Sequence, residues 1–278
     1  MRLHTYMISC FMTVTFFYTG MASGQEPSTQ AVSCDVLTAS GNSEYPPFLW
    51  REDASSIALH GVNRLIIDEL SKRINVPIEL IHVGPWSRAQ TEVKNGRVDL
   101  MAGAFYTNER ADYMDYFTPV MLHTTSVVWQ RKDKTFAFNR KEDLEGKWGV
   151  TVINNSFGQE FDQYAQRNLN ILAVASLSQA LKMLAADRVD YVLYEKNPAY
   201  AYATILDLSD AIVPVLPAIS SEGLYLTMSK KSSCNNTDIK RRIAIALQEM
   251  KQDGFTEKAL IDGVQEWGAH SREDTTLK

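Results

Sequence analysis

A single arginine, Arg110, follows the run Met101-Ala102-Gly103-Ala104-Phe105-Tyr106-Thr107-Asn108-Glu109. The run opens from Gly96-Arg97-Val98-Asp99-Leu100, just after an Asn-Gly turn. This spacing predicts a short apolar strand whose carboxyl end carries Phe105, Thr107 and then a guanidinium. A guanidinium there can grip a carboxylate through two parallel, charge-assisted hydrogen bonds. The pattern half recurs. Asp187-Arg188-Val189-Asp190 leads into Tyr191-Val192-Leu193-Tyr194 and stops at Glu195. One strand end offers a cation and the other a carboxylate, so two such ends facing each other suit a zwitterion.

Two further segments end in groups able to touch a ligand. Glu44-Tyr45-Pro46-Pro47-Phe48 supplies an acid and two rings. Asn155-Ser156 follows the strand-like Trp148–Ile153 at the expected start of a helix, where free N–H groups favour an anion. Trp86 opens another helix and could wall a pocket. Plainer roles exist for each. Arg110 could pair with Glu109 or Asp112 at the surface, Ser156 could simply cap its helix, and the aromatics could be core. No catalytic constellation is evident. His60, His82, His123 and His270 are scattered without metal-ligand spacing, and neither a nucleophile elbow nor a phosphate-cradling glycine loop occurs. Binding without a cofactor or metal is the simpler expectation.

The elements that would place these groups alternate. Strands are expected at Val36–Ala39, Pro77–Val83 and Asp99–Gly103, with helices at Val62–Ile74 and Trp86–Lys94 between them. In the first helix Ile66, Leu70 and Ile74 share one face, and Lys72 and Arg73 close it. A second series follows Pro119: strands at Val127–Trp129, Trp148–Ile153, Ile171–Val174, Tyr191–Tyr194, Ile212–Leu216 and Leu224–Met228. Its helices fall near Ser156–Arg167, Ser178–Ala186, Ile239–Gln252 and Thr256–Gly263. This β-α-β order predicts parallel sheets in two α/β lobes, the second inserted in the first, with serial lobes as the alternative. In such sheets ligands bind beyond the carboxyl ends of the strands.

The first residues read as a cleavable export signal: Arg2, an apolar run from Tyr6 to Tyr18, and small residues at Ala22-Ser23-Gly24. Cys10 lies inside that run. Losing Arg2 takes the net charge from −5 to −6, which argues against a nucleic-acid partner. Cys34 and Cys234 then remain, and an oxidising compartment favours a disulfide between them over two buried thiols.

Taken in order, these segments resemble the periplasmic solute-binding proteins of the polar amino-acid uptake family, family 3, from about Val36 to Trp267. Tyr45-Pro46-Pro47-Phe48 is similar to the family's ligand-stacking aromatic segment. Thr107-Asn108-Glu109-Arg110 is similar to its most recognisable signature, in which the arginine binds the α-carboxylate. Tyr116-Phe117-Thr118-Pro119 resembles the lobe crossing, and Leu144-Glu145-Gly146-Lys147 the opening of the second lobe. Asn155-Ser156 falls at the family's Gly-Thr-Thr turn, and Glu195 where the family places an aspartate for the α-ammonium.

The resemblance implies a two-lobe type II fold with a two-strand hinge near 123–127 and 218–224. It further implies ligand contacts from Tyr45, Trp86, Phe105, Thr107, Arg110, Asn155, Ser156 and Glu195. The expected layout is a signal at 1–24, a first lobe at 25–122 and 221–270, a second at 123–220, and a tail at 271–278. The expected role is that of a monomeric periplasmic protein that hands an amino acid or polar carboxylate to the permease of an ABC transporter. Valine and asparagine after Gly61, Phe105, the Asn-Ser-Phe-Gly turn and the longer acid at 195 depart from the family pattern. They leave room for another small polar or anionic ligand. The alternatives are a cyclohexadienyl-type dehydratase on the same fold and a soluble sensor for a receptor.

Overall fold

The computed structural model describes residues 34–276. The expected signal at 1–24 and the lead-in at 25–33 lie outside the described residues. The chain runs β1 (Leu37–Ser40), β2 (Glu44–Tyr45), β3 (Leu49–Trp50), α1 (Val62–Ile74), β4 (Ile78–Leu80), α2 (Trp86–Lys94), β5 (Leu100–Ala104), α3 (Asn108–Ala111) and β6 (Met114–Tyr116). It continues with β7 (Leu122–Arg131), β8 (Trp148–Val152), α4 (Gln159–Asn168), β9 (Asn170–Val174), α5 (Leu177–Ala185), β10 (Tyr191–Glu195), α6 (Lys196–Ile205), β11 (Ile212–Ser229), α7 (Thr237–Gln252) and α8 (Phe255–Thr276).

The main sheet has the order β4-β1-β5-β11-β7-β10-β8-β9, with β6 also on β11. β1 is parallel to β4 and β5, and β8 is parallel to β9 and β10. Each parallel set is one lobe. Two long antiparallel strands join them. β11 pairs with β7 from Ile212 to Leu224 and then with β5 from Tyr225 to Met228. The chain therefore leaves the first lobe through β7, builds β8 to β10, and returns through β11. This is the expected two-lobe architecture, the second lobe inserted and the hinge built from two strands.

α1 buries Val62, Ile66, Ile67, Leu70 and Ile74 along one stripe against this sheet. Burying each such side chain stabilises by about 1.5–3 kcal/mol. Asn75 ends the helix in the left-handed conformation, φ 48°, which asparagine tolerates. The second lobe has its own cluster of Val128, Phe138, Leu144, Phe157, Phe161, Tyr191 and Leu193.

Several elements differ from the sequence reading, and four of the differences have a clear physical reason. Ile212–Leu216 and Leu224–Met228 are one strand; Leu216-Pro217 interrupts the pairing, and the register shift between Val215 and Ser220 absorbs it. α6 has no counterpart in the sequence reading; Pro198 lies in its first turn, where a proline gives up no intrahelical bond. α8 runs well past Gly263. A Cβ there would lie 2.7 Å from Val62 N, so this glycine marks close helix–helix approach rather than a stop. Ser156 does not cap α4; Gly158 is its N-cap residue.

Cys34 and Cys234 form a disulfide, with Cα atoms 5.2 Å apart. Cys34 precedes β1 and Cys234 follows β11, both strands of the first lobe's sheet. The bond closes a long loop without joining the two lobes.

Candidate functional site

Between the lobes lies a small chamber of about 20 Å³, lined by Asn42, Tyr45, Asn63, Trp86, Gly103, Phe105, Arg110, Asn155 and Glu195, among others. Strand ends build it. β5 delivers Gly103 and, just past its end, Phe105. β10 ends on Glu195. The turn after β8 brings Asn155. Such a volume admits about one water-sized probe. A ligand of amino-acid size therefore enters only if the lobes or side chains move apart.

Arg110 is buried at 5% exposure, and among the described residues no carboxylate forms an ion pair with it. Its guanidinium donates from Nη1 to the Phe105 carbonyl at 3.1 Å and from Nη2 to the Asn154 carbonyl at 2.8 Å. It also stands 5.4 Å from the centre of the Trp86 ring. A guanidinium has five N–H donors, so this arrangement leaves some for a ligand oxygen.

The Asn154 carbonyl is a point of convergence across the cleft. Besides Arg110 it accepts Trp86 Nε1 at 3.2 Å and Gln90 Nε2 at 3.3 Å. Asn154 sits at φ 60°, a left-handed conformation accessible to asparagine. Other bonds span the lobes nearby. Asn42 Nδ2 donates to Tyr194 Oη at 3.1 Å, Leu177 N to Glu44 Oε2 at 3.3 Å, and Asn108 N to Gln159 Oε1 at 2.9 Å.

Glu195 is 1% exposed, and its Oε2 has no hydrogen-bond partner among the described residues. Burial raises its carboxyl to about 7. Its own backbone N–H, the Asn155 amide and the Arg110 cation pull downward, while Asp162 pushes further up. Asn155 Nδ2 faces it without completing a hydrogen bond.

This has a measurable consequence. Unfolded, the group titrates near 4.5; folded, near 7. The folded chain holds the extra proton between those values, so the associated stability is full below about 4.5 and is lost as pH rises to about 7. Above 7 the buried charge costs roughly 3 kcal/mol. Glu195→Gln should therefore raise the melting temperature at pH 8 and leave it nearly unchanged at pH 4. Equal effects at both pH values would show that Glu195 does not titrate in this range.

Six of the eight expected ligand residues, Tyr45, Trp86, Phe105, Arg110, Asn155 and Glu195, line the chamber. Thr107 and Ser156 line instead an adjoining open groove of about 510 Å³, to which Arg110 and Asn155 also belong. The Thr107 hydroxyl accepts from Arg110 N at 3.1 Å and caps α3. The Ser156 hydroxyl bonds Asp162, and Phe157 N donates to the same carboxylate at 2.8 Å. The donors expected to meet an anion after β8 thus hold one from their own chain.

Asn42, Gln90 and Asp162 have no role in the sequence reading, and Asn63 enters it only as a departure from the family pattern after Gly61. Gln90 lies one helical turn after Trp86 on the same face, a spacing that could have revealed it.

The model of the bacterial extracellular solute-binding proteins, family 3, matches residues 37–261. The chain belongs to that family. No curated protein sequence matches at a significant level. Among solved structures this family 3 protein is similar to a histidine kinase sensor domain with similarity to periplasmic binding proteins. That pair has 20% identity and TM-score 0.70, covering 82% of this chain and 96% of the other. It is similar to the P235GK mutant of ArgBP from T. maritima, at 19% identity and TM-score 0.68, covering 84% and 96%. It is also similar to an amino acid ABC transporter substrate-binding protein from Streptococcus pneumoniae bound to L-arginine, at 16% identity and TM-score 0.68, again covering 84% and 96%. At these identities the likeness shows the fold.

Proposed function

We propose that this family 3 protein captures a small amino acid or related polar carboxylate between its lobes and delivers it to the membrane permease of an ABC transporter. One observation carries the reading. A buried guanidinium without an acidic partner and a buried carboxylate oxygen without a donor line the same interlobe chamber. Left alone, each costs free energy, and a zwitterion satisfies both. In this reading Arg110 and Asn155 hold the ligand carboxylate, Glu195 its ammonium, and Tyr45, Trp86 and Phe105 wall the chamber. Thr107 and Ser156 stand at its mouth. In this reading the first lobe takes in the described residues to 122 and 221–270, the second 123–220, and they close by bending at β7 and β11. On the same reading, cleavage after Gly24 releases the mature chain into the periplasm, where it acts as a monomer.

The test is calorimetry of the mature chain against the common L-amino acids, with native mass spectrometry of the exported protein to identify any co-purified ligand. Binding of at least one amino acid is expected, and its absence across the panel would sink the reading. Glu195→Gln should weaken an amine-bearing ligand and spare its α-hydroxy counterpart. Equal losses would remove Glu195 from the ammonium.

A second reading draws on the proton held by Glu195. A buried carboxyl titrating near 7 can serve as a general acid, as in a dehydratase acting on cyclohexadienyl acids. Aromatic product formed on incubation with prephenate or arogenate would establish it.

A further inference from the structure

One oxygen of the second lobe gathers donors from the first. The Asn154 carbonyl accepts Arg110 Nη2 at 2.8 Å, Trp86 Nε1 at 3.2 Å and Gln90 Nε2 at 3.3 Å. The other cross-cleft bonds, Asn42 to Tyr194, Leu177 to Glu44 and Asn108 to Gln159, each join one donor to one acceptor. Two of the three donors come from α2, four residues apart, and so share one helix face. Both residues are 6% exposed, so water competes little for these bonds. Asn154 sits just past the end of β8 at φ 60°. Asparagine and glycine adopt that left-handed conformation readily, and other residues pay a steric cost. A carbonyl oxygen has two lone pairs, so three donors crowd it. A ligand anion that drew off Arg110 would leave Trp86 and Gln90 to fill both. Neither Gln90 nor Asn154 lines the chamber; both line the adjoining groove. A ligand confined to the chamber does not touch Gln90.

We propose that Trp86, Gln90 and the Asn154 carbonyl form a clasp that holds the lobes together without ligand, with Gln90 as its positioning residue outside the chamber. The clasp is made entirely by the chain, so it biases the lobes toward the closed form whether or not a ligand is present. The empty chain then rests closed, and a chamber of about 20 Å³ admits a ligand only when the clasp lets go. Entry is thus gated by groups that need not recognise the ligand. The inference stands apart from what the chamber binds, because it concerns the empty protein.

The test measures the distance between the lobes in the mature chain, shown to be empty by native mass spectrometry. Spin labels go on Lys94→Cys in α2 and Gln166→Cys in α4, exposed residues on opposite walls of the groove. The otherwise wild-type chain should show mainly the short, closed distance; a distribution dominated by the long distance overturns the clasp. Gln90→Met keeps the side-chain length and removes the donor. It should raise the ratio of open to closed chains about fivefold, the worth of one hydrogen bond, and adding Trp86→Phe should raise it about fivefold again. Asn154→Gly, which keeps the left-handed turn, should leave the distribution as in wild type, while Asn154→Ala should open it. An unchanged distribution in Gln90→Met, with or without a lower melting temperature, would give Gln90 a structural role only and overturn the proposal. Opening by Asn154→Gly as large as by Asn154→Ala would shift the effect from the carbonyl to the side chain and overturn it too.

Discussion

Arg110→Ala should lower affinity for a carboxylate ligand by 2–5 kcal/mol, roughly thirtyfold to several thousandfold. The guanidinium is buried, and among the described residues it has no ion-pair partner, so a ligand anion would be its counter-charge. The fold should tolerate the loss. The Phe105 carbonyl keeps the Tyr116 hydroxyl at 2.9 Å, and the Asn154 carbonyl keeps Trp86 and Gln90. Neither acceptor is orphaned, so stability should fall by only about 1 kcal/mol. Arg110→Lys keeps the charge but loses the planar fork, and should fall between wild type and alanine. Calorimetry with the tightest amino acid, beside a denaturant melt of each variant, separates the two effects. An unchanged dissociation constant for Arg110→Ala would remove this residue from the site.

Reducing the Cys34–Cys234 bond should produce the largest loss of stability, without loss of binding. The bond links residues 200 apart. In the chain-entropy model so long a loop gives ~5 kcal/mol, and removing native disulfides typically costs 2–5. Cys34 and Cys234 flank β1 and β11 within one lobe's sheet, so the cross-link does not restrain bending between β7 and β11. Cys34→Ser with Cys234→Ser should therefore unfold at lower denaturant, with ligand affinity within about twofold of wild type at 25 °C, where the chain remains folded. A stability loss under 1 kcal/mol would show that the sheet order β1-β5-β11 holds the chain ends alone. A large loss of affinity in the folded variant would show that the bond does restrain the cleft.

The sequence by itself settled what lies within one element or just past its end. α1 and α2 were legible residue by residue, because an apolar stripe, an Asn-Gly stop and basic last turns act over a few neighbours. The same locality put Arg110 after β5 and Glu195 at the end of β10, and the order of such segments pointed to the family. Tertiary structure decided which of these groups meet. Arg110 and Glu195 share a chamber only because β11 pairs first with β7 and then with β5, bringing together the ends of β5 and β10, which lie far apart in the sequence. It gave Ser156 an internal partner in Asp162, carried α8 past Gly263, and set Asn63 in the cleft wall. Each depends on a neighbour from a distant part of the chain. Periodicity and capping describe the chain along its length, while burial and the lack of a partner at an atom are set by what packs across from it.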